Sequence, residues 1–373
     1  MPDPATEGLF IKLALLIVFF AVMVGIGLYC RRHATDVSGF VLGGRSVGPW
    51  LTAFAYGTSY FSAVVFVGYA GQFGWKYGIA ATWAGIGNAL LGSLLAWAVL
   101  GRRTRVMTQH LDSATMPEFF GKRFSSRPLK LAASVIIFIF LIPYTASLYN
   151  GLSRLFGMAF DIDYSVCVVV MAVLTGVYVI AGGYMATAIN DFIQGIIMIV
   201  GIIAVIAAVL NSQGGFLQAL ESLARVQDET LSSVPGVFAS FFGPDPMGLL
   251  GVVLLTSRGT WGLPQMVQKF YAIKSESAIS KGMVISTVFA LIVSGGCYFL
   301  GGFGRLYSDQ IDIAVDGYDA VVPTMPSGLS TILIAVVVIL VLSASMSTLS
   351  SLVLSSRSTL TLAFPTALVF PGL

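Results

Sequence analysis

Charge is what this chain lacks. Lys and Arg number 20 and Asp and Glu 17 among 373 residues, 10% together, whereas an ordinary soluble domain carries about 25%. With 57% hydrophobic residues, the chain reads as an integral membrane protein. Histidine and cysteine are scarce as well. His33 and His110 lie in basic loops, and Cys30, Cys167 and Cys297 lie in or beside apolar runs without metal-ligand spacing, so the cysteines read as packing residues. These shortages argue against an enzyme and against any bound cofactor. No soluble domain fits either, since the longest stretch between apolar runs is Asn211 to Pro246.

What is present is a series of apolar runs of about 20 residues, the length that crosses a bilayer as helix. About nine are expected: Leu9 to Tyr29, Pro49 to Phe73, Ile79 to Leu100, Leu131 to Leu152, Ser165 to Ala181, Ala188 to Leu210, Met247 to Met266, Gly282 to Gly304 and Leu329 to Leu354. Basic residues mark the cytoplasmic loops. Counted on alternate sides, Arg31, Arg32, Arg45, Arg102, Arg103, Arg105, Lys122, Arg123, Arg127, Lys130, Lys269, Lys274, Lys281 and Arg357 face Lys76, Arg154, Arg225 and Arg305. This alternation predicts an outer N-terminus, a cytoplasmic C-terminus and an odd number of spans in a cell membrane. Ten acids fall on the outer side, Asp161, Asp163, Glu221, Asp228, Glu229, Asp245, Asp309, Asp312, Asp316 and Asp319. Basic residues distributed in this way serve membrane insertion and give no support to nucleic-acid binding. The first span lacks the leading positive charges of a signal peptide and is expected to remain.

Inside the last apolar run, Ser343, Ser347 and Ser351 recur every four residues, with Thr348 and Ser350 beside them. That spacing lines hydroxyls along one helical face. At membrane depth such a face needs protein, water or an ion as partner, and so points to a transport route. Two other runs carry interruptions: Gly57-Thr58-Ser59-Tyr60-Phe61-Ser62 in the second and Gly259-Thr260-Trp261-Gly262-Leu263-Pro264 in the seventh. Broken helices five spans apart are the mark of an inverted repeat, and their freed backbone groups can hold a cation or an anionic solute group. The same glycines also serve close helix packing. The first run would then precede a repeat over 49–210, and a second repeat would open in 247–354. Arg258 is the one basic residue well inside a run, where it either meets a solute carboxylate or bonds to carbonyls freed at the break.

Several segments together resemble the sodium:solute symporter family. They are Phe40-Val41-Leu42-Gly43-Gly44-Arg45-Ser46, Thr115-Met116-Pro117-Glu118-Phe119-Phe120-Gly121-Lys122-Arg123-Phe124, Gly182-Gly183-Tyr184-Met185-Ala186 leading to Asn190-Asp191-Phe192-Ile193-Gln194, Trp261-Gly262-Leu263-Pro264-Gln265 and Met346-Ser347-Thr348-Leu349-Ser350-Ser351. The likeness runs from about Phe10 to Leu360. It implies an all-α integral membrane protein of leucine-transporter type, with two inverted five-helix repeats. It implies sodium as coupling ion, held by the backbone carbonyls of Thr58, Phe61 and Ala344 and the hydroxyls of Ser347 and Thr348, all hard oxygen ligands. Asp191 resembles the family's acid on the sodium exit route. For the solute, the resemblance nominates Tyr144, Thr256, Thr260, Trp261 and Pro264. Tyr60 departs from the pattern, for the proline symporters have Asp there, which argues against proline as substrate.

The function expected is inward symport of Na+ with a small organic solute, an amino acid, carboxylate, vitamin or sugar, by alternating access. Only three helices of the second repeat are counted before the chain stops, and 361–373 reads as an uncharged tail outside the family pattern. A transport-inactive or solute-sensing module and a proton-coupled permease of the same fold are the competing readings. The partners expected are the solute, sodium and the lipid bilayer; the sequence does not speak to oligomeric state.

Overall fold

The computed structural model describes residues 4–368, apart from 34–35, 161–162, 229, 233 and 327–329; side chains are described within 10–358, apart from those residues and 11, 33, 150–160, 164, 167, 178 and 357. The expected packing role of Cys167 and the side chains of His33, Arg154 and Arg357 lie outside the described residues, as do Asp161 and Glu229.

Among the described residues the fold is helical, and isolated bridges join only Val47 to Ile273 and Asp228 to Ser232. In chain order the α-helices are α1 (Pro4–Cys30), α2 (Val37–Leu42), α3 (Pro49–Tyr60), α4 (Ala70–Tyr77), α5 (Thr82–Gly87), α6 (Arg102–His110), α7 (Met116–Arg123) and α8 (Arg127–Phe160). They continue as α9 (Tyr164–Ser212), α10 (Phe216–Arg225), α11 (Pro246–Arg258), α12 (Pro264–Ala272), α13 (Glu276–Gly301), α14 (Ile313–Asp316), α15 (Val321–Thr324) and α16 (Thr331–Leu368). A π-helical stretch, Val64–Tyr69, leads into α4, and two more, Asn88–Leu94 and Trp97–Gly101, carry α5 on to α6.

Among the described residues six apolar stretches are each long enough to cross a bilayer. Two of these, Val64–His110 and Val179–Ser212, contain sharp corners and so belong to more than one crossing. At the corners sit Gly78 (φ 63°, ψ −144°) and Gly183 (φ 56°, ψ −148°), in a backbone region open only to glycine. Space excludes a side chain there too, since a Cβ would lie 2.1 Å from the Phe238 carbonyl oxygen at Gly78 and 2.7 Å from that of Phe40 at Gly183. Among the described residues, opening these corners and joining the half-helices α3 to α4 and α11 to α12 divides the helices into nine segments that follow the nine apolar runs in order. Asn211 to Pro246 carries a short helix, α10, whose Ala219 and Leu223 are buried.

Local chemistry starts the helices where the sequence changes character. Proline opens α3, α11 and α12 at the position whose missing amide would have no partner anyway. Asp245 caps α11 by accepting from the Gly248 amide at 2.9 Å, and Ser275 caps α13 by accepting from Ala278 at 3.2 Å. Thr115 and Glu118 box the start of α7, the threonine hydroxyl accepting from the Glu118 amide while that carboxylate takes the Ala114 amide at 2.9 Å.

The half-helix α3 lies at the centre, buried from Thr52 to Ala63. It packs against α9, α13 and α16, and Phe54 meets Phe192 of α9 and Phe289 of α13 with ring centres 4.7 and 5.1 Å apart. Outward-facing side chains are apolar instead, among them Ile17, Ile139, Val169, Ile203 and Leu255, as a bilayer demands. Polar ties are found at the two ends. At the arginine-rich end Arg45 donates to the carbonyls of Tyr271, Thr108 and Ser113 at 3.2, 3.2 and 2.9 Å. At the other, Arg305 donates to the Trp75 carbonyl and to Asp228, the latter at 3.0 Å. The Thr230 hydroxyl and the Arg305 guanidinium hold the Asp228 carboxyl below its ordinary pKa. Because the folded pKa is the lower one, this support is present above the ordinary carboxylate range and is lost as pH falls through the depressed value.

Replacing Gly183 by alanine should lower stability by about 1–3 kcal/mol through forced backbone strain. The measurement is the midpoint of thermal unfolding in detergent, and a midpoint equal to wild type would contradict the corner's role.

Candidate cation and solute site

The break between α3 and α4 falls at Phe61, Ser62 and Ala63, with Phe61 at φ −103°, ψ 87°. Acceptors in the last turn of α3 have no intrahelical donor, and the hydroxyl face of α16 lies against them. Ser347 donates to the carbonyls of Thr58 and Ala344, both at 3.2 Å. Thr348 donates to the same pair at 3.3 and 3.1 Å. Four of the five oxygens nominated for sodium therefore converge, from elements 289 residues apart. Phe61 is the next residue but two and is buried, as are Thr58, Ala344, Ser347 and Thr348. The Thr58 hydroxyl is buried beside this cluster without a hydrogen-bond partner, a costly state for a polar atom in an apolar surround.

One turn further along α16, Ser351 shares a hydrogen bond with Ser59 at 2.8 Å and accepts from the Lys269 ammonium at 2.9 Å. Lys269 lies 3.6 Å from Asp191, and both side chains are buried. This corrects the loop assignment of Lys269, because α12 runs six residues beyond Met266 and carries it inside. Its signal was present in the spacing: Gln265 and Lys269 stand on one face of a helix opened by Pro264.

Facing the break on the other side is a cavity of about 460 Å³ lined in part by Tyr60, Ser62, Tyr69, Asn88, Tyr144, Thr256, Thr260 and Tyr298. Tyr144, Thr256 and Thr260 thus share this one cavity. Trp261 and Pro264 are placed elsewhere. The Trp261 indole donates to the Leu91 carbonyl at 3.0 Å, while Pro264 borders a small void with Thr115, Met116, Gln268, Ser355 and Ser358. Arg258 ends α11 with an exposed side chain and is not among the cavity's residues.

Asn88 is the polar hub that sequence reading passes over. Its side-chain oxygen accepts from the hydroxyls of Thr256, Ser257 and Tyr60 at 3.0, 3.2 and 3.2 Å, and its amide donates to Ser294 at 3.2 Å. Tyr60 also donates to the Thr256 carbonyl at 2.8 Å. It thereby satisfies an acceptor freed where α11 gives way to the 3-10 turn Gly259–Gly262. An isolated Asn in an apolar run carries no periodic signal, which is why it was not singled out.

A family model described as the sodium:solute symporter family matches residues 40–368. The chain belongs to that family. The boundary expected at Leu360 thus falls inside the matched segment. Among curated relatives, the sodium/proline symporter of Staphylococcus aureus strain JH9 is 29% identical over 355 residues, spanning 93% of this chain and 67% of the relative. A solved structure of a Na+-coupled sialic acid symporter, in a substrate-bound outward-open state, superposes with a TM-score of 0.78 at 16% identity, over 96% of this chain and 74% of that one. The fold of this family member is accordingly the leucine-transporter type, and its helices break between α3 and α4 and between α11 and α12. Both of these relatives are symporters by name.

Asn88→Ala leaves the hydroxyls of Thr256 and Ser257 without their shared acceptor. A loss of about 1–3 kcal/mol is expected, read as a lowered melting midpoint in detergent, with Asn88→Ser falling between. An unchanged midpoint for both variants would remove the hub from the site.

Proposed function

We propose that this chain moves a small organic solute into the cell together with Na+, driven by the sodium gradient and by alternating access. The single observation that carries this reading is the meeting of the Thr58 carbonyl with the Ser347 and Thr348 hydroxyls at 3.2 and 3.3 Å. A hard cation of about calcium's size holds its oxygens at roughly 2.3–2.6 Å, so right-angled neighbours in such a shell lie about 3.3–3.7 Å apart. The spacings among Thr58, Ala344, Ser347 and Thr348 need only a slight opening to match. Sodium entering there replaces the four hydroxyl-to-carbonyl bonds by ion contacts, with the Phe61 carbonyl as a fifth ligand. Asp191, toward the arginine-rich end, supplies the exit route, with that end cytoplasmic and the N-terminus outside.

Such an ion ties α3 to α16 and so stabilises the arrangement in which the solute cavity opens outward. The coupling is mutual: solute in contact with Tyr144, Thr256 and Thr260 raises sodium affinity by the factor by which sodium raises its own. The inner-negative potential adds about 2.3 kcal/mol per charge per 100 mV. Tyr60 remains an argument against proline, because its hydroxyl is occupied with Thr256 and Asn88 and brings no negative charge to the cavity.

Uptake of labelled candidate solutes by proteoliposomes, with and without an inward sodium gradient, is the test. Ser347→Ala together with Thr348→Ala should reduce sodium-driven uptake at least about tenfold, the equivalent of 1.4 kcal/mol. Uptake that ignores sodium and survives both substitutions would reject the reading.

A further inference from the structure

Lys269 is a buried charge that sodium ligation leaves unexplained. A buried ammonium is costly, and an apolar residue of similar volume would spare the structure both the charge and its counter-ion. Yet α12 carries Lys269 with 2% of its side chain exposed, against an Asp191 that is wholly buried. The pair is loose. At 3.6 Å the ammonium is within ion-pair reach but outside hydrogen-bond distance, and both carboxylate oxygens of Asp191 lack a hydrogen-bond donor. Its short bond is instead the one to Ser351 at 2.9 Å, and the Tyr184 ring lies 5.2 Å from the nitrogen.

What surrounds the ammonium is a set suited to a small cation: a carboxylate with free lone pairs, a hydroxyl and an aromatic face. The set is continuous with the sodium cluster. Ser351 follows Ser347 by one helical turn, about 6 Å along α16, and bonds to Ser59, the neighbour of Thr58. An ion leaving the cluster along this face of α16 meets Asp191 already attended by a positive charge.

Taking the sodium-symport reading as its basis, we propose that Lys269 is a tethered cation that competes with Na+ for the Asp191 carboxylate. The exit route then holds one cation at a time. Sodium moving on from Thr58, Ser347 and Thr348 takes the carboxylate from the ammonium, which keeps its bond to Ser351, and the return of the ammonium to Asp191 expels the ion toward the arginine-rich end. Without Lys269 the carboxylate becomes an uncompensated negative charge that traps the ion instead of passing it on.

The test measures ²²Na+ binding to purified protein in detergent and ²²Na+ efflux from preloaded proteoliposomes. Lys269→Met should bind sodium about tenfold more tightly and release it more slowly, and Lys269→Arg should stay near wild type. Lys269→Met with Asp191→Asn should return to within about threefold of wild-type affinity, closing a double-mutant cycle with a large coupling. Lys269→Gln takes the place of the methionine variant if that protein is not recovered. If neither neutral variant folds, Asp191→Asn carries the test with opposite sign, its unpaired ammonium weakening sodium binding about tenfold. A merely structural pair would change melting temperature and leave sodium affinity alone, which would overturn the proposal. Failure of wild type to bind ²²Na+ would instead reject the symport reading on which it rests.

Discussion

A broken helix inside a membrane has to satisfy its own backbone, because no water reaches it. In this chain the duty falls on α16. The carbonyl of Thr58, in the last turn of α3, receives the hydroxyls of Ser347 and Thr348, and Ser59 meets Ser351 one turn on. Each of those hydroxyls would be a liability in a helix that faced lipid. The break and the hydroxyl stripe are therefore two halves of a single requirement, and the position of α16 against α3 follows from it. The second break obeys the same constraint with different means, Tyr60 and Thr260 donating to the carbonyls of Thr256 and Ser257.

This mutual dependence explains what was legible in the amino-acid sequence. Periodicity reveals hydroxyls spaced by four, and glycine with proline reveals interruption, so Ser347, Thr348 and the region around Thr58 were visible before any coordinates. Apolar length marked the nine runs, although Gly78 and Gly183 draw them into fewer continuous helices. Single residues whose meaning lies in a distant partner were not visible. Asn88 is silent until Thr256, Ser257 and Ser294 are placed around it. Lys269 looked like one more basic residue of a loop, because a lysine three residues past an apolar run, about one helical turn, fits the charge rule as well as it fits a helix interior.

Trp261 and Pro264 show the same limit from the other direction. Both stand in the motif that points to the second break, and both are used to build it. Pro264 opens α12 where its missing amide does no harm, and Trp261 anchors the turn to Leu91. Residues that shape a break need not face the cavity that the break creates; here the facing positions fall to Thr256 and Thr260.

Under the proposed symport, the two polar groupings packed against α16 differ in what they ask of an ion. Around Thr58 the ligands are neutral dipoles on rigid helical segments, which favour a cation without demanding one, since the hydroxyls can rest on the carbonyls in its absence. Around Asp191 the ligand is a full charge in a buried setting, and that charge cannot stand alone. Lys269 answers the need with a cation that cannot diffuse away. A route built from a neutral station followed by a charged one needs such a device at the second station, since otherwise the deeper well would hold whatever ion reached it. In that proposal the step between the two stations is the single helical turn from Ser347 to Ser351, whose hydroxyl is tied to Ser59 on one side and to Lys269 on the other.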